Sequence, residues 1–217
     1  PGTYFEVKPD GSKLERRYWK WPINNKAEAL TQEKFSELLD DAIRMQMRFD
    51  VEGCLFLSGG VDSSIIGSHL KKQWNRPRIK AFSLNCTEEG YGEHYLAEKA
   101  AKQIGDIDLM PVTFDHRIVT DEIEDVIYHT DQPHGDFSFF LILKLCKAAH
   151  NQNVIVAFNG DGPDEIMTGF THNEVFLSSS SNNMRKYFEL ISFMSEEERS
   201  ILLQPDFKNF LTNPYDF

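Results

Sequence analysis

One stretch constrains this chain more than any other: Cys54-Leu55-Phe56-Leu57-Ser58-Gly59-Gly60-Val61-Asp62-Ser63-Ser64-Ile65-Ile66. The apolar run Cys54 to Leu57 reads as a buried strand, and it runs straight into Ser-Gly-Gly. An amphipathic helix follows, from about Ser63 to Trp74. Strand, glycine turn and helix together aim backbone N–H groups from a helix N terminus, where anions bind. Gly59 and Gly60 lack a Cβ, so the backbone can turn tightly and approach a phosphate closely. Ser58, Ser63 and Ser64 add hydroxyl donors. Asp62 is the odd member, because a carboxylate beside a phosphate repels it unless a cation lies between. That argues for Mg²⁺.

The stretch is not a Walker loop, since no lysine follows the glycines, and it is not Gly-x-Gly-x-x-Gly. Composition narrows the partners. The 217 residues are 41% hydrophobic and 26% charged, enough for one large globular domain or one domain plus pieces. The net charge of −11 argues against nucleic acid or an anionic membrane as a partner. No apolar run approaches the ~20 residues that span a bilayer, and none of the given residues reads as a signal peptide. Because the chain opens on Pro1, an N-terminal part is expected to be missing. Cys54, Cys86 and Cys146 are odd in number and lie in apolar contexts. They read as buried, reduced thiols of a cytoplasmic protein, neither a disulfide frame nor a zinc site.

Taken in order, residues 1–22 read as a hairpin turning at Pro9-Asp10-Gly11-Ser12, followed by a linker from Pro22 to Lys26. A lone hairpin is not a stable fold, which makes it the expected end of another domain. Thr31 should cap a helix to about Arg48 with Phe35, Leu38, Leu39, Ala42 and Ile43 on one face. Further strands are expected at 78–84, 107–114 and 153–158. Helices are expected at 93–104 (Leu96, Ala100, Ile104 inward), 120–130 (Ile123, Val126, Ile127 inward) and 138–149 (Leu141, Leu145, Ala148 inward). Strands alternating with helices imply an α/β fold, a parallel sheet with helices on both faces. Ligands in such sheets bind at the carboxyl ends of the strands. Beyond residue 171 the chain changes character. Ser178 to Asn183 is a polar run expected to be mobile, Met184 to Met194 a short helix, Ser195 to Glu198 a capping box opening another helix to about Leu203, and Phe207 to Leu211 a last apolar turn.

A second loop, Phe158-Asn159-Gly160-Asp161-Gly162-Pro163-Asp164-Glu165, follows the last strand. Asp161, Asp164 and Glu165 repel one another, so a metal, a cationic substrate group or plain solvent must accommodate them. Both glycine loops fall at the same sheet edge, where Asp62 and Asp164 could share one Mg²⁺ on a bound phosphate group.

Ser58-Gly59-Gly60-Val61-Asp62-Ser63 resembles the pyrophosphate loop (PP-loop) of the ATP pyrophosphatases, whose fold is adenine nucleotide alpha hydrolase-like. Together with Ala81-Phe82-Ser83-Leu84, Tyr91 to Ala97, Asp131-Gln132-Pro133-His134-Gly135-Asp136 and Gly160 to Glu165, it resembles the synthetase domain of the glutamine-hydrolysing asparagine synthetases. The likeness covers about residues 27–175. It makes 1–22 the last strands of a glutaminase-type domain and 176–217 an incomplete helical extension. It implies ATP and Mg²⁺, adenylation of the side-chain carboxylate of L-aspartate, release of pyrophosphate, and attack by ammonia from glutamine. By position, Ser58, Gly59, Gly60, Asp62, Ser63 and Ser64 would hold pyrophosphate. Leu57, Leu84, Asn159 and Gly160 would meet the adenosine, Asp62 and Asp164 would hold the metal, and Asp161 would sit near the acyl group or ammonia. The resemblance leaves room for a homodimer.

Four positions depart from the family: Asn159 where Ser is usual, Pro163 for a small residue, Asp161 for the commoner Glu, and Thr168 for Gly. A downstream lysine that serves adenylation has no match before Phe217. Three alternatives therefore stay open. One is an amide or lactam synthetase with another acyl group, against which Asp161 argues, since β-lactam relatives usually carry Tyr there. Another is a nucleotide-binding module without catalysis. The third, a GMP or NAD synthetase, lacks a second loop of this kind. Elsewhere His94, His129 and His134 lack ligand spacing, although His134 could border the pocket. Phe137, Phe139 and Phe140 read as core, and Glu122, Glu124 and Asp125 as a solvated helix face.

Overall fold

The computed structural model describes residues 2–20, 29–88, 92, 94–132, 135–178, 184–192, 194–195, 197–198 and 201. Two compact units divide after Asp41: Pro1–Asp41 and Ala42–Phe217. In the first, β1 (Thr3–Val7) and β2 (Lys13–Arg17) pair antiparallel from Thr3 opposite Arg17 to Val7 opposite Lys13. Asp10 closes the turn by accepting from the N–H and hydroxyl of Ser12 at 2.9 and 2.7 Å. This is the expected hairpin. The division falls within α1 (Gln32–Gln46), whose first turn is capped where Lys34 N donates to Thr31 Oγ1 at 3.2 Å. Ile43 is buried, whereas Leu38 of the same apolar stripe is exposed.

The second unit runs β3 (Gly53–Phe56), α2 (Val61–Gln73), β4 (Ile79–Cys86), α3 (His94–Ile104), β5 (Ile107–Phe114), α4 (Ile118–Thr130), α5 (Ser138–Asn151), β6 (Val156–Phe158), α6 (Pro163–Met167), α7 (Thr171–Ser178) and α8 (Met184–Ile191). Its four strands form one parallel sheet in the order β5-β4-β3-β6. The chain steps outward from β3 to β5, then returns to the other side of β3. Strand order therefore reverses between β3 and β6, which opens a crevice at their carboxyl ends.

Adjacent residues of β3 face opposite sides of the sheet. Cys54 joins Phe82 and Val112 from the sheet with Leu145 and Ala149 of α5. Leu55 meets α2 so closely that a Cβ on Gly67 would lie 2.9 Å from both Leu55 Cδ2 and Ile104 Cδ1 of α3. Helices thus cover both faces, and the central strand β3 reads as an apolar run because it is buried on both sides.

Several expectations need correction. β6 begins at Val156, three residues late. Residues 152–154 still belong to the turn that ends α5: Asn153 is left-handed (φ 57°) and Val154 N donates to Ala149 O at 3.0 Å. The inward stripe of α4 is Ile118, Glu122 and Val126, while Ile123 and Ile127 are 44% and 41% exposed. Glu122 is thus buried rather than solvated, and Asp125 is paired with Lys147. Ala97 and Ala100 are the buried residues of α3, and Phe140, Leu145 and Ala149 those of α5. Phe137 is exposed and stacks on Phe140 at 5.9 Å. Of the cysteines only Cys54 is fully buried; Cys86 is half-buried and Cys146 exposed. Burial pushes the Cys54 thiol up to about 12.

The capping box forms as expected, with Ser195 N donating to Glu198 Oε2 and Glu198 N to Ser195 Oγ at 2.8 and 3.2 Å. The linker at 22–26, the polar run after Ser178, His134, and the segments around Leu203 and 207–211 lie outside the described residues. No described helix is long and apolar enough to cross a membrane.

Candidate functional site

The turn after β3 is built by four serine-centred bonds. Ser63, 5% exposed, takes its hydroxyl 2.9 Å from that of Ser58 and accepts from Ser58 N at 3.3 Å. Gly60 N donates to Ser58 Oγ at 3.2 Å, and Ser63 Oγ donates to Gly60 O at 3.3 Å. Gly59 has φ 84°, and a Cβ there would fall on the backbone of Leu96 and Ala97 in α3. Glycine is required at Gly59 on both counts. Gly60 is the N-cap of α2 with extended backbone, and no side chain caps the helix. Asp62 lies in the first turn, where the helix dipole favours a negative group.

The second loop lies directly on the first. A Cβ on Gly160 would sit 2.7 Å from Ser63 N and 3.1 Å from Asp62 Cβ. Asn159 Nδ2 donates to Asp161 Oδ2 at 2.7 Å. Gly162 (φ 102°) turns the chain into α6, and Thr168 (φ 60°) ends that helix in the left-handed region. Thr168 is the position where the family resemblance expects glycine, and its conformation is one that glycine adopts without strain. The Asp164 carboxylate lies against Gly169.

A cavity of about 360 Å³ opens where the two loops meet. Of the residues expected from sequence, Leu57, Ser58, Gly60, Asp62, Ser63, Leu84, Asn159, Gly160 and Asp161 line it, and Gly59, Ser64 and Asp164 do not. Gly59 and Ser64 belong to the turn itself; Ser64 N donates to Gly60 O at 3.1 Å. Sequence reasoning did not anticipate the other wall. It comprises Phe56 and Phe82 in the strands, Phe114 at the end of β5, and Leu141, Ile142 and Leu145 of α5, with Cys86 at the end of β4. These residues carry no motif; only their position at strand ends or on an inward helix face could have pointed to them. Among the described lining residues, Asp62 and Asp161 are acidic and none is basic. Hard carboxylate oxygens without a cation suit Mg²⁺ better than a softer metal. His94 Nε2 lies 3.8 Å from Glu98, and the His129 ring packs on Tyr128.

A parallel sheet, a glycine loop feeding a helix, and a second glycine loop packed on it at the strand-order reversal define an α/β domain with its ligand crevice at the switch point. The chain belongs to the asparagine synthase family, whose model matches residues 34–215.

Among its relatives, asparagine synthetase [glutamine-hydrolyzing] 1 of Bacillus subtilis is 30% identical over 173 residues, covering 78% of this chain and 27% of that protein. A putative asparagine synthetase of Methanocaldococcus jannaschii is 26% identical over 216 residues, covering 93% and 41%. Amidase chyE of Penicillium rubens is 26% identical over 189 residues, covering 78% and 28%. The chain thus spans roughly a quarter to two-fifths of the length of these relatives. Among solved structures, the ammonia-dependent NAD synthetase of Campylobacter jejuni matches with a TM-score of 0.42 at 13% identity, over 85% of this chain and 93% of that one.

Proposed function

We propose that the chain is the adenylating domain of an ATP-dependent, amide-forming ligase: ATP activates the side-chain carboxylate of L-aspartate, pyrophosphate leaves, and ammonia attacks to give asparagine and AMP. The observation that carries this reading is the contact of Gly160 with Ser63 N and Asp62 Cβ. It joins an anion-binding turn to an acid-bearing loop at the mouth of a cavity large enough for part of a nucleotide. The domain spans about residues 27–175, and residues 1–22 belong with a glutaminase-type domain that delivers ammonia.

The backbone N–H groups at the uncapped start of α2, Val61 to Ser63, meet the leaving pyrophosphate. Preorganised donors suit this task, because charge develops on a group that departs. Leu57, Leu84, Asn159 and Gly160 meet the adenosine. Asp62 and Asp164 would hold Mg²⁺, which supplies the positive charge that the phosphates need beside these carboxylates. Asp161, held by Asn159, faces the acyl group or the incoming ammonia.

A second reading keeps the chemistry and changes the acyl group. The apolar wall of Phe114, Leu141, Ile142 and Leu145 offers nothing charged to an α-carboxylate, and two relatives are named amidases.

The test is pyrophosphate release from ATP with Mg²⁺ and ammonium chloride, with and without L-aspartate. Aspartate-dependent release with formation of AMP, abolished in Asp62→Asn, is the expected result. Release that responds to an apolar carboxylic acid and not to aspartate would select the second reading. ATP binding with no release for any acid would leave a binding module.

A further inference from the structure

Three residues of the cavity wall, Leu141, Ile142 and Leu145, come from α5. The helix against which α5 packs is α4, whose inward stripe is Ile118, Glu122 and Val126. The outer two pack with Phe140 of α5. Between them stands a carboxylate, only 9% exposed, where a leucine would fill the same stripe. Glu122 accepts from Lys147 Nζ, and Lys144 Nζ lies 3.5 Å from its other oxygen. Both lysines belong to one face of α5, three residues apart. Lys147 also reaches Asp125 on α4, and these two acids hold the Lys147 ammonium above its usual range.

An ion pair with one buried partner is a weak source of stability, but it discriminates between registers, because a misplaced register strands the buried Glu122 carboxylate. Sliding α5 by one turn, about 5.4 Å, would carry both lysines away from Glu122. An all-apolar stripe on α4 would resist that slide less, leaving only the packing of Leu145 and Ala149 on the sheet to hold the register. The same movement would shift Leu141, Ile142 and Leu145 along the cavity. We infer that Glu122 is a positioning residue: through Lys147 and Lys144 it fixes the register of α5 on α4, and with it the apolar wall of the cavity. The inference rests on the proposed function only in taking ATP as the ligand of that cavity.

The experiment compares the wild-type chain with Glu122→Leu and Glu122→Gln by three measurements: thermal unfolding, ATP affinity with Mg²⁺, and amide hydrogen exchange along α5. The lysine side chains are 35% and 39% exposed, so they can turn to water once the carboxylate is gone. Glu122→Leu should therefore keep or raise the melting temperature, yet bind ATP roughly tenfold more weakly, a usual size for an indirect effect. Its α5 amides should exchange faster while those of β3 and β4 stay protected. Glu122→Gln, which can still accept from one lysine, should recover most of the affinity.

Wild-type affinity and exchange in Glu122→Leu would overturn the inference. So would a loss of affinity that merely follows a falling melting temperature. If the wild-type chain does not bind ATP, the ligand assignment fails, and α5 exchange alone decides: faster in Glu122→Leu upholds the register role, unchanged refutes it.

Discussion

The loop after β3, Ser58–Ser64, is stitched together by its own serines and backed by α3. The loop after β6, Asn159–Glu165, has no buried residue and runs into α6, which has none either. Both contain paired glycines and acids. The difference lies in what surrounds them. In the first loop the ordering of the backbone is settled by folding, so a phosphate bound as proposed would meet donors already in place. The second runs into α6, a short helix bounded by the left-handed Gly162 and Thr168 that carries Asp164 and Glu165. Its Gly160 presses on the first loop. A rigid cradle paired with an acidic arm would suit the proposed reaction, in which pyrophosphate is gripped and then released.

Four substitutions can break or sharpen that contrast. Gly59→Val should have the largest effect, because it adds a side chain against the backbone of α3 at a positive φ. A loss of about 3–5 kcal/mol is expected in urea unfolding. A milder loss would mean that the cradle yields and is not rigid. Ser63→Ala comes next: it removes the hydroxyl that bonds Ser58 and Gly60. It should lower stability by about 1–2 kcal/mol by the same measurement, and ATP affinity should drop with it. Gly162→Ala meets no atom within 4 Å, so only its φ of 102° opposes a side chain. The expected loss is about 1 kcal/mol, read as a small fall in melting temperature. Thr168→Gly should act in the opposite sense, relieving left-handed strain for a gain of up to about 1 kcal/mol. If Thr168→Gly raises stability but slows pyrophosphate release, the strain in the second loop serves the reaction.

Much of this was legible from the chain. The hairpin, the first helix with its Thr31 cap, the strand at 107–114 and the position of both glycine loops follow from local rules. These are period-2 and period-3.6 patterning, capping chemistry and the breaks made by glycine and proline. What was misread depends on neighbours. Ile123 and Ile127 satisfy a helical stripe as well as Ile118 and Val126 do, and only the packing of α5 decides which stripe turns inward. The buried Glu122 broke the apolar pattern and so disguised the true face.

The candidate site divides along the same line. Its polar half, Ser58 to Ser63 and Asn159 to Asp161, announces itself because the turns need glycine and the chemistry needs oxygen and N–H groups. Its apolar half, Phe114 with Leu141, Ile142 and Leu145, looks in sequence like any core segment. The sequence alone determined the order of elements and which loops bear the chemistry, since both are written in residues adjacent along the chain. The tertiary structure decided that Gly160 touches Ser63, that α5 supplies the cavity wall and that Glu122 is buried. Each of these joins residues more than twenty positions apart, and such contacts are fixed by how the helices settle on the sheet, which no local pattern encodes.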